Sequence, residues 1–138
     1  MVYGAAMNRI TPIARILLGL GFAVFSINFF VPFLPMPKEP PPPAAMEFVV
    51  PFMSSHFLTL VKVIELASAI LLLTNFFVPL ALALLAPIIV GIIAFHALLE
   101  PSGLPIAIPF LLLELILAYG YRSSFAPMLQ ARTAPTTA

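Results

Sequence analysis

Apolar residues run along this chain in long stretches, without the alternation of a strand or the one-sided stripe of a water-facing helix. Four stretches, at about 12–33, 56–74, 79–99 and 105–121, reach or approach the ~20 residues that cross a ~30 Å hydrocarbon core. In lipid only helices and closed barrels satisfy every backbone polar group, and these runs carry helical signals. The pattern predicts an all-α integral membrane protein, a four-transmembrane-helix bundle formed as a single membrane domain over residues 1–125.

The punctuation between the runs is mostly proline. Thr11-Pro12 reads as a helix start, a hydroxyl N-cap followed by proline in the first turn. Residues 35–43, Pro-Met-Pro-Lys-Glu-Pro-Pro-Pro-Pro, favour extended polyproline II because most lack a backbone N–H. Within the outer loop at 35–55, residues 44–53 form an apolar segment too short to span, which predicts an interfacial or re-entrant helix. Ser54 and Ser55 are placed to cap the second span. Asn75 and Pro79 mark a tight turn into the third, and Pro87 near its middle predicts a kink. Pro101-Ser-Gly103 breaks the chain before the fourth span, and residues 126–138 read as a disordered tail.

Composition sharpens this picture. Hydrophobic residues make up 62% and charged residues 8% of the 138, with a mean hydropathy of +1.16. Too few charges are available to cover a water-facing surface, so the lipid bilayer is the main solvent. The chain has no cysteine, which removes disulfides, thiol exchange and Fe–S ligation by this chain. A net charge of +1 is too small to imply a nucleic-acid partner. The first run exceeds the ~7–15 apolar residues of a secretory signal and lacks a clear cleavage site, so a retained helix is expected. Arg9, Arg15, Arg122 and Arg132 lie toward the two ends, whereas the Pro-rich loop offers Lys38. The positive-inside rule therefore predicts both termini on the cytoplasmic side.

Ionisable groups inside the spans are the candidate chemistry, because each costs about 2.5–3.5 kcal/mol at the centre of an inserted helix. Lys62 and Glu65 are three residues apart and share a helix face, roughly 9 and 14 Å below the outer end of the second span. Ser68 and Ala69 continue that face. His96 and Glu100 are four apart near the outer end of the third span, and a His–carboxylate pair suits proton transfer. With alternating topology, His56, Lys62, Glu65, His96 and Glu100 gather in one half of the bundle. A plainer reading makes Lys62–Glu65 a packing ion pair and lets His96 and Glu100 meet water at the interface. Glu114 is the most deeply placed acid. It either pairs with Arg15 across antiparallel spans or stays protonated while Arg15 reaches the headgroups. Haem is disfavoured, since bis-His ligation would need His56, which sits at a span boundary. The His and Glu spacing gives no metal site. Gly19 and Gly21, with Ala81, Ala83, Ala86, Gly91 and Ala94, read as close-packing positions.

Several of these segments carry a resemblance. Arg15-Ile-Leu-Leu-Gly19, the proline-rich loop with Leu34-Pro-Met-Pro37, Val61-Lys-Val-Ile-Glu65, Phe95-His96 before Glu100-Pro-Ser-Gly103, and Glu114-Leu115 resemble the small four-helix membrane proteins of the DoxX family. The resemblance spans about residues 8–122. It implies a four-helix fold in a bacterial-type inner membrane and a redox context, since the family takes its name from a subunit of a thiosulfate:quinone oxidoreductase. It supplies no catalytic residues.

Three functions follow as expectations. One is a redox-linked membrane subunit in which Lys62, Glu65, His96 and Glu100 bind a quinone while a partner subunit delivers electrons. Another is a non-catalytic assembly subunit packed against a larger membrane complex. The least favoured is a small transporter or proton path through Glu114.

Overall fold

The computed structural model describes residues 2–35 and 37–135. Its elements are α1 (Val2–Phe30), α2 (Pro43–Ser54), α3 (Phe57–Thr74), α4 (Val78–Leu98), α5 (Leu104–Gly120) and the single-turn α6 (Arg122–Phe125). Segments Arg9–Phe30, Phe57–Thr74, Val78–Leu98 and Pro101–Gly120 are each long and apolar enough to cross a membrane. The protein is an all-α bundle of four candidate spans, with α2 as an additional short helix.

Helix packing closes a ring: α1 lies against α3 and α5, and α4 packs on the same two helices. Neighbours run antiparallel. Ser26 meets Glu65 while Arg15 meets Leu72, and Phe110 packs near Gly21 while Gly120 packs near Thr11. One end of the bundle therefore collects the end of α1, the start of α3, the end of α4, the start of α5 and α2 on α3. A core of Leu18, Phe22, Leu72, Leu82, Leu85, Ile89 and Leu117 fills the interior. Most other large apolar side chains face outward, as lipid contact requires.

Glycines set the approach of α1. A Cβ on Gly19 would press on Leu73, and one on Gly21 would meet the Phe110 ring at 2.6 Å. These contacts are the close packing that small residues permit between membrane helices. In α4 only part of the small-residue set does this. Ala81 is buried, but Ala83, Ala86, Gly91 and Ala94 are exposed, and a Cβ at Gly91 would meet nothing within 4 Å.

Several boundaries differ from the sequence expectation. Helix α1 starts well before Thr11, and Pro12 lies inside it. Ala5, Ala6 and Met7 favour helix, and proline fits helical φ at the loss of one backbone bond. Thr11 packs beside Gly120 instead of capping. The same helix ends at Phe30, before residue 33, because the Asn28 Oδ1 accepts the Phe33 and Leu34 N–H groups at 2.9 and 2.8 Å. These bonds divert the chain into the proline-rich loop. Pro42 has polyproline II angles, φ −53° and ψ 146°, immediately before α2.

Between α2 and α3, Ser54 and Ser55 donate back to Pro51 and Phe52 carbonyls, and Ser55 Oγ also accepts the Phe57 N–H at 3.4 Å. His56 turns the chain with φ 60°. Asn75 and Phe77 take φ 60° and 50° between α3 and α4, a left-handed conformation that asparagine tolerates better than phenylalanine. Helix α4 runs through Pro87. The segment expected as a disordered tail begins with a 3-10 turn at Ala126–Leu129, continuing from α6. Residues 136–138 of that segment lie outside the described residues.

Candidate functional site

Glu65 is the polar centre of the bundle. Helical spacing brings Lys62 Nζ to within 2.8 Å of Glu65 Oε2. Antiparallel register then brings Ser26 of α1 to donate its hydroxyl to the same oxygen at 3.1 Å. Glu65 is 2% exposed and Lys62 19%. A carboxylate at that depth needs its partners, because an unpaired buried charge is costly. The second oxygen, Oε1, has no hydrogen-bond partner among the described residues.

His96 approaches from α4. Its Nδ1 lies 3.0 Å from the Glu100 carbonyl and 3.8 Å from the Glu100 carboxylate. Ser102 Oγ donates to Glu100 Oε1 at 3.3 Å. The Glu100 side chain is thus drawn toward the α4–α5 turn, while the His96 ring stays with the bundle interior.

Two hollows meet at these side chains. A cavity of about 190 Å³ lies toward α1 and α5, walled by Phe22, Phe25, Ala107 and Phe110. A cleft of about 610 Å³ lies between α2, α3 and α4, with Phe48 and Phe52 of α2 and Gly91 of α4 among its walls. Lys62, Glu65, Ile92 and His96 border both. The cleft is within the ~300–1,000 Å³ range of small-molecule sites, and it combines apolar walls with a few convergent polar groups. Phe48 and Phe52 stack at 4.8 Å, and Phe48 also sits 5.7 Å from Phe95, which ties α2 to the α4 wall.

The structure brings Lys62, Glu65 and His96 together and leaves Glu100 one step behind His96. His56 is exposed at the α2–α3 junction and borders neither hollow. Arg15 does not pair with Glu114. Its guanidinium donates to the Leu72 carbonyl, with Leu73 O at 3.5 Å, at the end of α3. There it joins the Asn75 N–H on the Leu72 carbonyl and complements the negative end of the helix dipole. Glu114 is buried, with Oε2 unpartnered, as is Ser68 Oγ. Among the described residues no three His, Asp or Glu side chains converge to hold a metal ion.

Ser26, Phe22, Phe110 and Gly91 join the site without having stood out in the sequence as site residues, whereas the phenylalanines between Phe48 and Phe57 read there as an interface or a surface for a lipid-like ligand. For Ser26 the one available signal is a hydroxyl within an otherwise apolar run. No family model matches this chain, and neither a curated protein nor a solved structure is significantly similar to it.

Proposed function

We propose that this protein is a redox-linked membrane subunit, DoxX-like in kind, that binds a quinone-class amphiphile between α2, α3 and α4. The observation that carries this reading is the wall shared by the two hollows, where Lys62, Glu65 and His96 meet an otherwise apolar lining. A quinone has a flat polar head with hydrogen-bonding oxygens and an isoprenoid tail. Lys62 suits a carbonyl oxygen, Glu65 and His96 suit hydroxyl protons, and the phenylalanine-lined cleft suits the tail. In this reading a partner subunit supplies the electrons, since the chain has no cysteine for thiol or Fe–S chemistry of its own. The arginine distribution supports cytoplasmic termini, with the polar cluster in the outer half of a bacterial-type inner membrane.

Gly91 offers a test that spares the polar groups. A side chain there meets open space, so Gly91→Leu preserves the bundle while obstructing the cleft. Wild-type protein in lipid nanodiscs binds a short-chain benzoquinone in equilibrium dialysis, and Gly91→Leu binds it at least about tenfold more weakly, a loss of ~1.4 kcal/mol. Absence of binding to wild type overturns the proposal.

A second reading, a non-catalytic assembly subunit, draws on a different observation. Glu65 Oε2 is held by groups from two helices, which is how an interhelical clamp is built. Under that reading, Glu65→Gln lowers recovery of an intact complex from the native membrane, and no quinone accompanies the wild-type chain.

A further inference from the structure

The α4–α5 turn does more than connect two spans. The Glu100 carbonyl accepts two bonds, from the Gly103 N–H at 3.2 Å and from the His96 ring. A carbonyl oxygen can only accept, so in the neutral ring the proton must reside on Nδ1 and the lone pair on Nε2. Gly103 has an ordinary φ of −85°, and its backbone conformation does not call for glycine. Space does. A Cβ at this position would collide with His96 Cε1 and Nδ1 and reach Cγ at 2.8 Å. The turn therefore holds one edge of the imidazole by a hydrogen bond and admits it only because residue 103 has no side chain. The Cδ2–Nε2 edge is turned away from the turn, on a residue that borders both hollows. Among the described residues no group bonds to Nε2.

We propose that the turn at Pro101–Gly103 is a positioning device that fixes His96 as the Nδ1–H tautomer and presents Nε2 to the cavities as a hydrogen-bond acceptor. An acceptor there selects a ligand head that carries a hydroxyl, so the site takes a hydroquinone in preference to the corresponding quinone. This selectivity rests on the quinone-class reading above, whereas the tautomer does not. Lys62 Nζ supplies the neighbouring donor, which either form of the head can use through an oxygen lone pair. His96 therefore adds to a preference that the Glu65 carboxylate on the same wall also favours, and Gly103 acts through His96.

The test uses ¹⁵N-histidine-labelled full-length protein in nanodiscs at about pH 8, where an ordinary imidazole is neutral. His56→Asn removes the other histidine signal and keeps a residue that tolerates left-handed φ. Long-range ¹H–¹⁵N correlation is expected to show His96 with a protonated Nδ1 and a bare Nε2. In Gly103→Ala that signature is lost or mixed. Equilibrium dialysis with a short-chain benzoquinone and its hydroquinone, under anaerobic conditions, is expected to favour the hydroquinone by about tenfold in wild type, the value of one good hydrogen bond. The ratio falls several-fold in Gly103→Ala and in His96→Phe, and an unchanged ratio in His96→Phe overturns the role of His96 in the selectivity.

A protonated Nε2 in wild type overturns the positioning role. Equal affinity for the two forms overturns the selectivity while leaving the quinone reading standing. Failure of wild type to bind either form overturns that reading and the selectivity together, and the tautomer measurement still decides the role of the turn. Both wild-type measurements stand even if Gly103→Ala does not fold.

Discussion

At Glu65 one carboxylate oxygen serves two helices, and the exposure of its partners makes the consequences of substitution unequal. Removing Lys62 leaves a carboxylate that is 2% exposed without its cation, whereas removing Glu65 leaves a lysine that is 19% exposed and able to stretch toward water. Lys62→Met is therefore expected to destabilise the bundle more than Glu65→Leu does, by about 1 kcal/mol or more, and the double variant is expected to recover part of the loss. Reversible unfolding in mixed micelles, run as a double-mutant cycle, measures this. Equal losses for the two single variants would mean that Lys62 does not neutralise Glu65. Ser26→Ala removes one interhelical bond and is expected to cost about 0.6–1.7 kcal/mol in the same assay. The Lys62–Glu65 pairing is legible in the sequence because three-residue spacing alone puts the two on one face. Ser26 is not, because its meeting with Glu65 depends on how α1 slides along α3. The His96 contact is harder still to foresee, since its partner is a backbone carbonyl and every residue offers one.

Elements repeat the same lesson at larger range. The four apolar runs announce the spans, since lipid admits little besides a helix of that length and composition. Their ends are less legible, because single side chains and turns decide them. Asn28 stops α1 by taking the Phe33 and Leu34 N–H groups, while Pro12, which looks like a start, is absorbed into a longer helix. Asn28→Ala is expected to speed hydrogen exchange at Phe33 and Leu34 while the α1 core stays protected, and unchanged exchange there would contradict the stop. Close approach of α1 to α5 depends on Gly21. Gly21→Ala must push the Phe110 ring aside and is expected to cost about 1–3 kcal/mol. The 190 Å³ cavity should change with it, since Phe110 is part of its wall.

Over the whole molecule, the polar groups are distributed unevenly. Lys62, Glu65 and His96 gather toward the end that carries α2, whereas Arg15 closes the end of α3 at the other. If the arginine distribution sets the topology, that first end faces outward. The absence of native cysteine makes this simple to check with single-cysteine variants. Lys38→Cys is expected to react with an impermeant maleimide in intact spheroplasts, and Ser123→Cys only after lysis. The reverse pattern would invert the bundle and place the cleft toward the cytoplasm. The most direct measurement is equilibrium dialysis of a short-chain benzoquinone with the wild-type protein and Gly91→Leu in nanodiscs. Saturable binding to wild type, weakened at least about tenfold in a Gly91→Leu variant that unfolds normally, is the expected result. Absence of saturable binding to wild type, or equal binding to both, would contradict the assignment of the cleft as the quinone site.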